Sequence, residues 1–133
     1  MLERARRAIG KPYEWGKEVD MADSDPLAFD CSEMIQWTVD PAFAEFPDGA
    51  INQFSFCREL RQDQPLFPGD FLFLKYLSKK DGKEKWHVGI VSTDVSIIHA
   101  LAGQGVIEGP ISFFEGHRGW MGAASRRRHP ELT

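Results

Sequence analysis

Cys31, His87 and His99 are the residues of this chain whose types and spacing could do chemistry. A thiol and two imidazoles suffice for nucleophilic catalysis: the thiolate attacks, one imidazole takes the proton and returns it, and the other holds the first in the correct tautomer. Cys31 stands in Asp30-Cys31-Ser32, after the turn-rich Asp23-Ser24-Asp25-Pro26 and at the start of Met34-Ile35-Gln36-Trp37-Thr38-Val39. Positions 31, 34, 35 and 38 share one face of a helix, predicted over 31–40, which sets the thiol in the first turn. There the unpaired N–H groups and the helix dipole favour an anion, so the expectation is an acidified thiol. Asp30 has the simpler role of N-cap.

The histidines follow the period of strands. Residues 86–91 and 95–101 are short Val/Ile-rich runs separated by Ser92-Thr93-Asp94, the pattern of a hairpin with a three-residue loop. A hairpin centred on Thr93 sets His87 directly across from His99 on one face, with Cβ atoms roughly 4.5–5.5 Å apart. One imidazole can then hold the other.

The elements that position these groups read as helices first and strands second. Helices are expected over 2–9, 31–40 and 51–61, with a long loop to residue 30 on the substrate side. Strands are expected over 69–76, 86–92, 95–101, near 104–108 and over 119–126, with Asp81-Gly82 turning a charged hairpin tip. That order predicts a single α+β domain over 1–133, its N-terminal helices packed on a C-terminal antiparallel sheet. The chain has 133 residues, 42% of them hydrophobic, enough for one real core.

Composition excludes several classes. The net charge is −4 and the basic residues are scattered apart from Arg126-Arg127-Arg128, so no nucleic-acid footprint is expected. No apolar stretch approaches the roughly 20 residues of a membrane span. Basic residues near Met1 lack an apolar run behind them, so no secretory signal is read. No localisation is read beyond a chain cytoplasmic as made. With two cysteines, neither in a Cys-x-x-Cys pair, no disulfide framework is expected, and Cys57 reads as a buried hydrophobe on the third helix.

Five segments in order carry a family resemblance: Pro12-Tyr13-Glu14-Trp15-Gly16, Asp30-Cys31-Ser32, Pro68-Gly69-Asp70, His87-Val88-Gly89-Ile90 and Ile98-His99-Ala100. The chain resembles the NlpC/P60 family of papain-like cysteine peptidases over nearly its whole length. The resemblance implies a papain-like fold and cleavage of peptidoglycan stem peptides at the γ-D-glutamyl–diamino acid bond. It implies Cys31 as nucleophile, His87 as general base, His99 as the orienting residue and Tyr13 beside the oxyanion, with no cofactor or metal. Asp30, Ser32 and Trp15 are the candidate substrate contacts, and a monomer is expected.

Two departures stand out, Glu33 and Lys17 where the family usually has glycine. Glu33 is turned about 200° from the thiol along the helix. It is therefore expected to serve the helix N-terminus rather than read a cationic group on the substrate. The rival readings are a zinc site of Cys31, His87 and His99, a binding module that no longer cleaves, and a thiol acyltransferase. His117 and His129 are expected to be bystanders. Trp15, Trp37, Trp86 and Trp120 read as core or groove wall.

Overall fold

Asp30 starts the central helix as expected. Its backbone is extended (φ −91°, ψ −179°) and its carboxylate accepts the Glu33 N–H at 2.8 Å, which satisfies a helix donor that has no intrahelical partner. In the computed structural model, which describes residues 2–116 and 125–131, this helix, α2 (Cys31–Val39), is buried at every position but Gln36. Helix α1 (Leu2–Ala8) packs beside it and ends at Gly10, whose φ of +95° only glycine adopts cheaply.

Helix α3 (Ala50–Phe56) is shorter than the predicted 51–61. Beyond buried Cys57 the chain turns extended as β1 (Arg58–Glu59), because the edge of the sheet captures its backbone: Arg58 and Glu59 pair with Arg128 and Arg127, and the Leu60 N–H donates to the Arg126 carbonyl at 2.7 Å. The other strands are β2 (Phe71–Leu77), β3 (Glu84–Val91), β4 (Ser96–Leu101), β5 (Gly105–Pro110) and β6 (Ser125–Arg128). They form one antiparallel sheet in the order β1-β6-β2-β3-β4-β5. The α+β reading therefore holds. A short helix, α4 (Ser112–Glu115), was not expected. The strand expected over 119–126 lies largely outside the described residues, as do His117 and Trp120; its end belongs to β6.

Strand alternation gives the sheet two buried faces. Phe71, Phe73, Val88, Ile90, Ile98 and Ala100 pack with Cys31, Met34 and Ile35 of α2. Leu72, Leu74, Val91 and Ile97 pack with Ile111 and Phe114 around α4. At the start of β2, Asp70 of the Pro-Gly-Asp segment accepts two bonds from Arg128, at 2.6 and 2.8 Å, and one from the Phe67 N–H at 2.7 Å. The three terminal arginines thus serve the fold. Arg126 binds the Arg61 and Gln62 carbonyls and Arg127 the Cys57 carbonyl. Among the described residues no helix is long and apolar enough to cross a membrane.

Candidate active site

His87 Nε2 and His99 Nδ1 lie 2.7 Å apart, in the interior. The expected pairing is corrected in one respect. The hairpin is centred on Asp94, not Thr93, since Ile90 faces Ile98 and Val91 faces Ile97. Its tip is held by the Thr93 hydroxyl, which accepts the N–H groups of Val95 and Ser96 at 3.3 and 3.1 Å and leaves Val95 in the loop. Moving the centre by one residue shifts each partner by two and preserves the faces. His99 therefore stands across from Gly89, and the imidazoles meet on the diagonal. Gly89 makes this possible: a Cβ there would come 3.0 Å from His99 Cβ and 2.9 Å from Ile97 Cδ1.

The pair lies on the α4 side of the sheet. His87 stacks on Phe114 with centroids 5.3 Å apart, and His99 meets Phe113 at 4.9 Å and Phe114 at 5.3 Å. Burial pushes His99 down to about pKa 4, so it is neutral at pH 7. One proton is then shared across the 2.7 Å contact.

Helix α2 is on the other side, so the thiol reaches β3 at its backbone instead of across a shared face. Cys31 Sγ lies 3.9 Å from the Trp86 carbonyl oxygen, and the Val88 N–H also bonds to the sulfur. These groups flank His87 in sequence. Among the described residues β3 and β4 pair only at Ile90↔Ile98 and Val91↔Ile97, whereas β2 stays paired with β3 down to Leu77↔Glu84. The thiol thus meets β3 on a stretch that β4 has already left.

The expectation of an acidified thiol is overturned. Cys31 is only 8% exposed, and its pKa is pushed up to about 12, first by burial and then by the Asp30 carboxylate. The N–H groups of Val88, Ser32 and Cys31 itself pull the other way without winning. The helix N-terminus is present, but desolvation of the thiolate outweighs it. Cys57 is also pushed to about 12, mainly by burial.

Tyr13 is held by the loop, where the Phe29 N–H donates to the Pro12 carbonyl and the Glu14 N–H to the Phe29 carbonyl. Its phenol pKa is raised by burial, then by Cys31 and Asp30. Tyr76 of β2, which the sequence reading did not single out, is likewise raised by burial and by Cys31. Its signal was the alternation 72, 74, 76 along β2, beside a strand bearing His87. Tyr13, Trp15 and Tyr76 line one cavity of about 530 Å³. Asp30 and Ser32 turn to the helix itself, the Ser32 hydroxyl donating to Asp30 at 3.3 Å. His129 is packed among Phe43, Phe46 and Phe56, away from the histidine pair.

Glu33 reaches the loop at Val19 instead of capping its own helix. It is 4% exposed and accepts the Val19 N–H at 3.1 Å. Burial, then a side-chain hydrogen bond with Asp48, raises its pKa to about 8, so a proton is retained there at neutral pH. With Glu18 and Asp48 it forms the one group among the described residues whose ligand atoms converge, within 4.8 Å; Cys31, His87 and His99 do not converge as a zinc site would need.

Comparison with known families decides the relationship, since residues 10–118 match the NlpC/P60 family. The chain belongs to the NlpC/P60 family. Solved structures of similar fold include an NLP/P60 family protein, described as similar to lipoprotein, from Staphylococcus aureus (26% identity, TM-score 0.70). NlpC2 from Trichomonas vaginalis is 22% identical with a TM-score of 0.70, and the peptidoglycan hydrolase RipB from Mycobacterium tuberculosis is 21% identical with a TM-score of 0.63. These alignments cover 96%, 96% and 94% of this chain but only 39%, 44% and 61% of those proteins. No curated protein matches the chain. The fold is thus the papain-like fold of NlpC/P60 proteins, with the Cys31 helix α2 against an antiparallel sheet.

Proposed function

We propose that this NlpC/P60 domain is a cysteine peptidase or amidase that hydrolyses peptidoglycan stem peptides at the γ-D-glutamyl–diamino acid bond. The observation that carries the reading is the His87–His99 hydrogen bond on the strand whose flanking peptide groups hold the Cys31 sulfur. Neutral His99 accepts at Nδ1 the proton on His87 Nε2, which leaves His87 Nδ1 unprotonated and basic. His87 takes the thiol proton as Sγ attacks the amide carbonyl. The Cys31 backbone N–H and the Tyr13 hydroxyl stabilise the oxyanion. His87 then gives its proton to the leaving amine, and water, deprotonated by His87, hydrolyses the thioester to free the acid and restore the thiol. Burial favours the neutral thiol, so in this reading the proton moves as Sγ attacks.

A second reading, a module that binds stem peptides without cleaving them, draws on the burial and raised pKa of Cys31. Mass spectrometry of defined muropeptides separates the two. Hydrolysis should add one water across a single amide and should vanish in Cys31→Ala. Muropeptides that are bound but stay intact over many hours would sink the catalytic reading.

A further inference from the structure

The cavity of about 530 Å³ lined by Tyr13 and Tyr76, the two phenols that Cys31 influences, has two chemically different ends. Tyr13 and Tyr76 form the end near Cys31. The other end is the tip between β2 and β3, where Lys79, Lys80 and Lys85 stand against one carboxylate, Asp81. Lys85 Nζ lies 3.4 Å from Asp81 and 5.1 Å from the centre of the Trp15 ring, so both neighbours steady it. Lys79 and Lys80 are exposed and make no ion pair among the described residues. In a chain of net charge −4 this local excess of cations is informative. Trp15, 73% exposed, stands at the same cavity as a flat apolar wall.

We propose that this cavity is a subsite for a carboxylate of the peptide substrate, held by Lys79 and Lys80 with Trp15 packed on the adjoining chain. The inference rests on the catalytic reading of Cys31, because it is the thiol that makes the cavity part of a substrate path. A cationic rim also complements a substrate whose reacting amide is flanked by acidic groups. The tip holds its shape by its own backbone, the Ser78 N–H donating to the Lys83 carbonyl and the Gly82 N–H to the Ser78 carbonyl, both at 2.9 Å. Replacing lysines there leaves those bonds in place.

The test is calorimetric binding to Cys31→Ala protein of a stem tripeptide with free carboxylates and of the same tripeptide with its carboxylates capped as amides. The free acid should bind about 10-fold more tightly at low salt, the sum of two exposed ion pairs. In Lys79→Gln/Lys80→Gln/Cys31→Ala protein, or in 0.5 M salt, that ratio should fall to about 2. Equal affinity for the two peptides, no binding of either, or a ratio unmoved by the lysine substitutions overturns the subsite. Wild-type protein that shows the binding preference yet cleaves nothing would remove the catalytic reading and leave the subsite standing. Cleavage of both peptides with the same KM removes the subsite and leaves the chemistry.

Discussion

Gly89 stands across the hairpin from His99 with no room for a side chain between them: a Cβ on residue 89 would sit 3.0 Å from His99 Cβ. Gly89→Ala must therefore push apart β3 and β4 or displace His99 from its 2.7 Å contact with His87. The expected result is a fall in kcat of about 100-fold, as a misplacement near 1 Å can cause, with a stability loss of about 1–3 kcal/mol from overpacking. Kinetics and thermal unfolding of the variant check both. Wild-type kcat in Gly89→Ala would show that the pair does not depend on this spacing.

The two histidines should fail differently. His87→Ala is expected to abolish turnover, because it removes the group that carries the proton. His99→Asn should keep a measurable rate, about 1–10% of wild type, since an amide can still accept from His87 Nε2. Burial holds His99 neutral down to about pH 4, so its own ionisation should not shape the activity profile above pH 5. If His99→Asn is folded and as inactive as His87→Ala, His99 does more than orient its neighbour.

Cys31 should alkylate with the pH dependence of a buried neutral thiol. Its pKa, pushed up to about 12, predicts an iodoacetamide rate that is low at pH 6 and still climbing at pH 9, with no plateau near neutrality. Mass spectrometry of the labelled peptides also separates Cys31 from the more deeply buried Cys57, which should react more slowly in the folded protein. A rate already saturated by pH 7 would mean a preformed thiolate and a different first step.

What the sequence made legible here is local. The N-cap at Asp30, the first-turn place of Cys31 and the shared face of His87 and His99 each follow from a few adjacent residues and one period. The centre of the hairpin was not legible, because the Thr93 hydroxyl settles it by gathering two N–H groups that the strand pattern assigned elsewhere. Nor was the raised thiol pKa, since burial of Cys31 is set by β3 and the Tyr13 loop together, whereas the dipole argument sees the helix alone. The end of α3 was decided by a partner strand distant in sequence, and the cationic cavity by Trp15 meeting a hairpin tip some sixty positions on.

Glu33 offers the clearest pH test. Its pKa rises from an ordinary 4.5 to about 8 on folding, through burial first and then Asp48. Between those values the folded chain holds a proton that the unfolded chain has released, so stability is fullest below 4.5 and is lost as pH rises through 8. Glu33→Gln removes that dependence while its amide oxygen can still accept the Val19 N–H and its NH₂ can still face Asp48. The variant should match wild type near pH 4.5 and gain in relative melting temperature up to pH 8, then level off. Groups common to both proteins cancel in the difference, so the window belongs to this site. A difference that is flat from pH 4.5 to 8, or one that favours wild type as pH rises, would mean that Glu33 is ionised in the folded protein and that a cation, from solvent or substrate, compensates the three carboxylates.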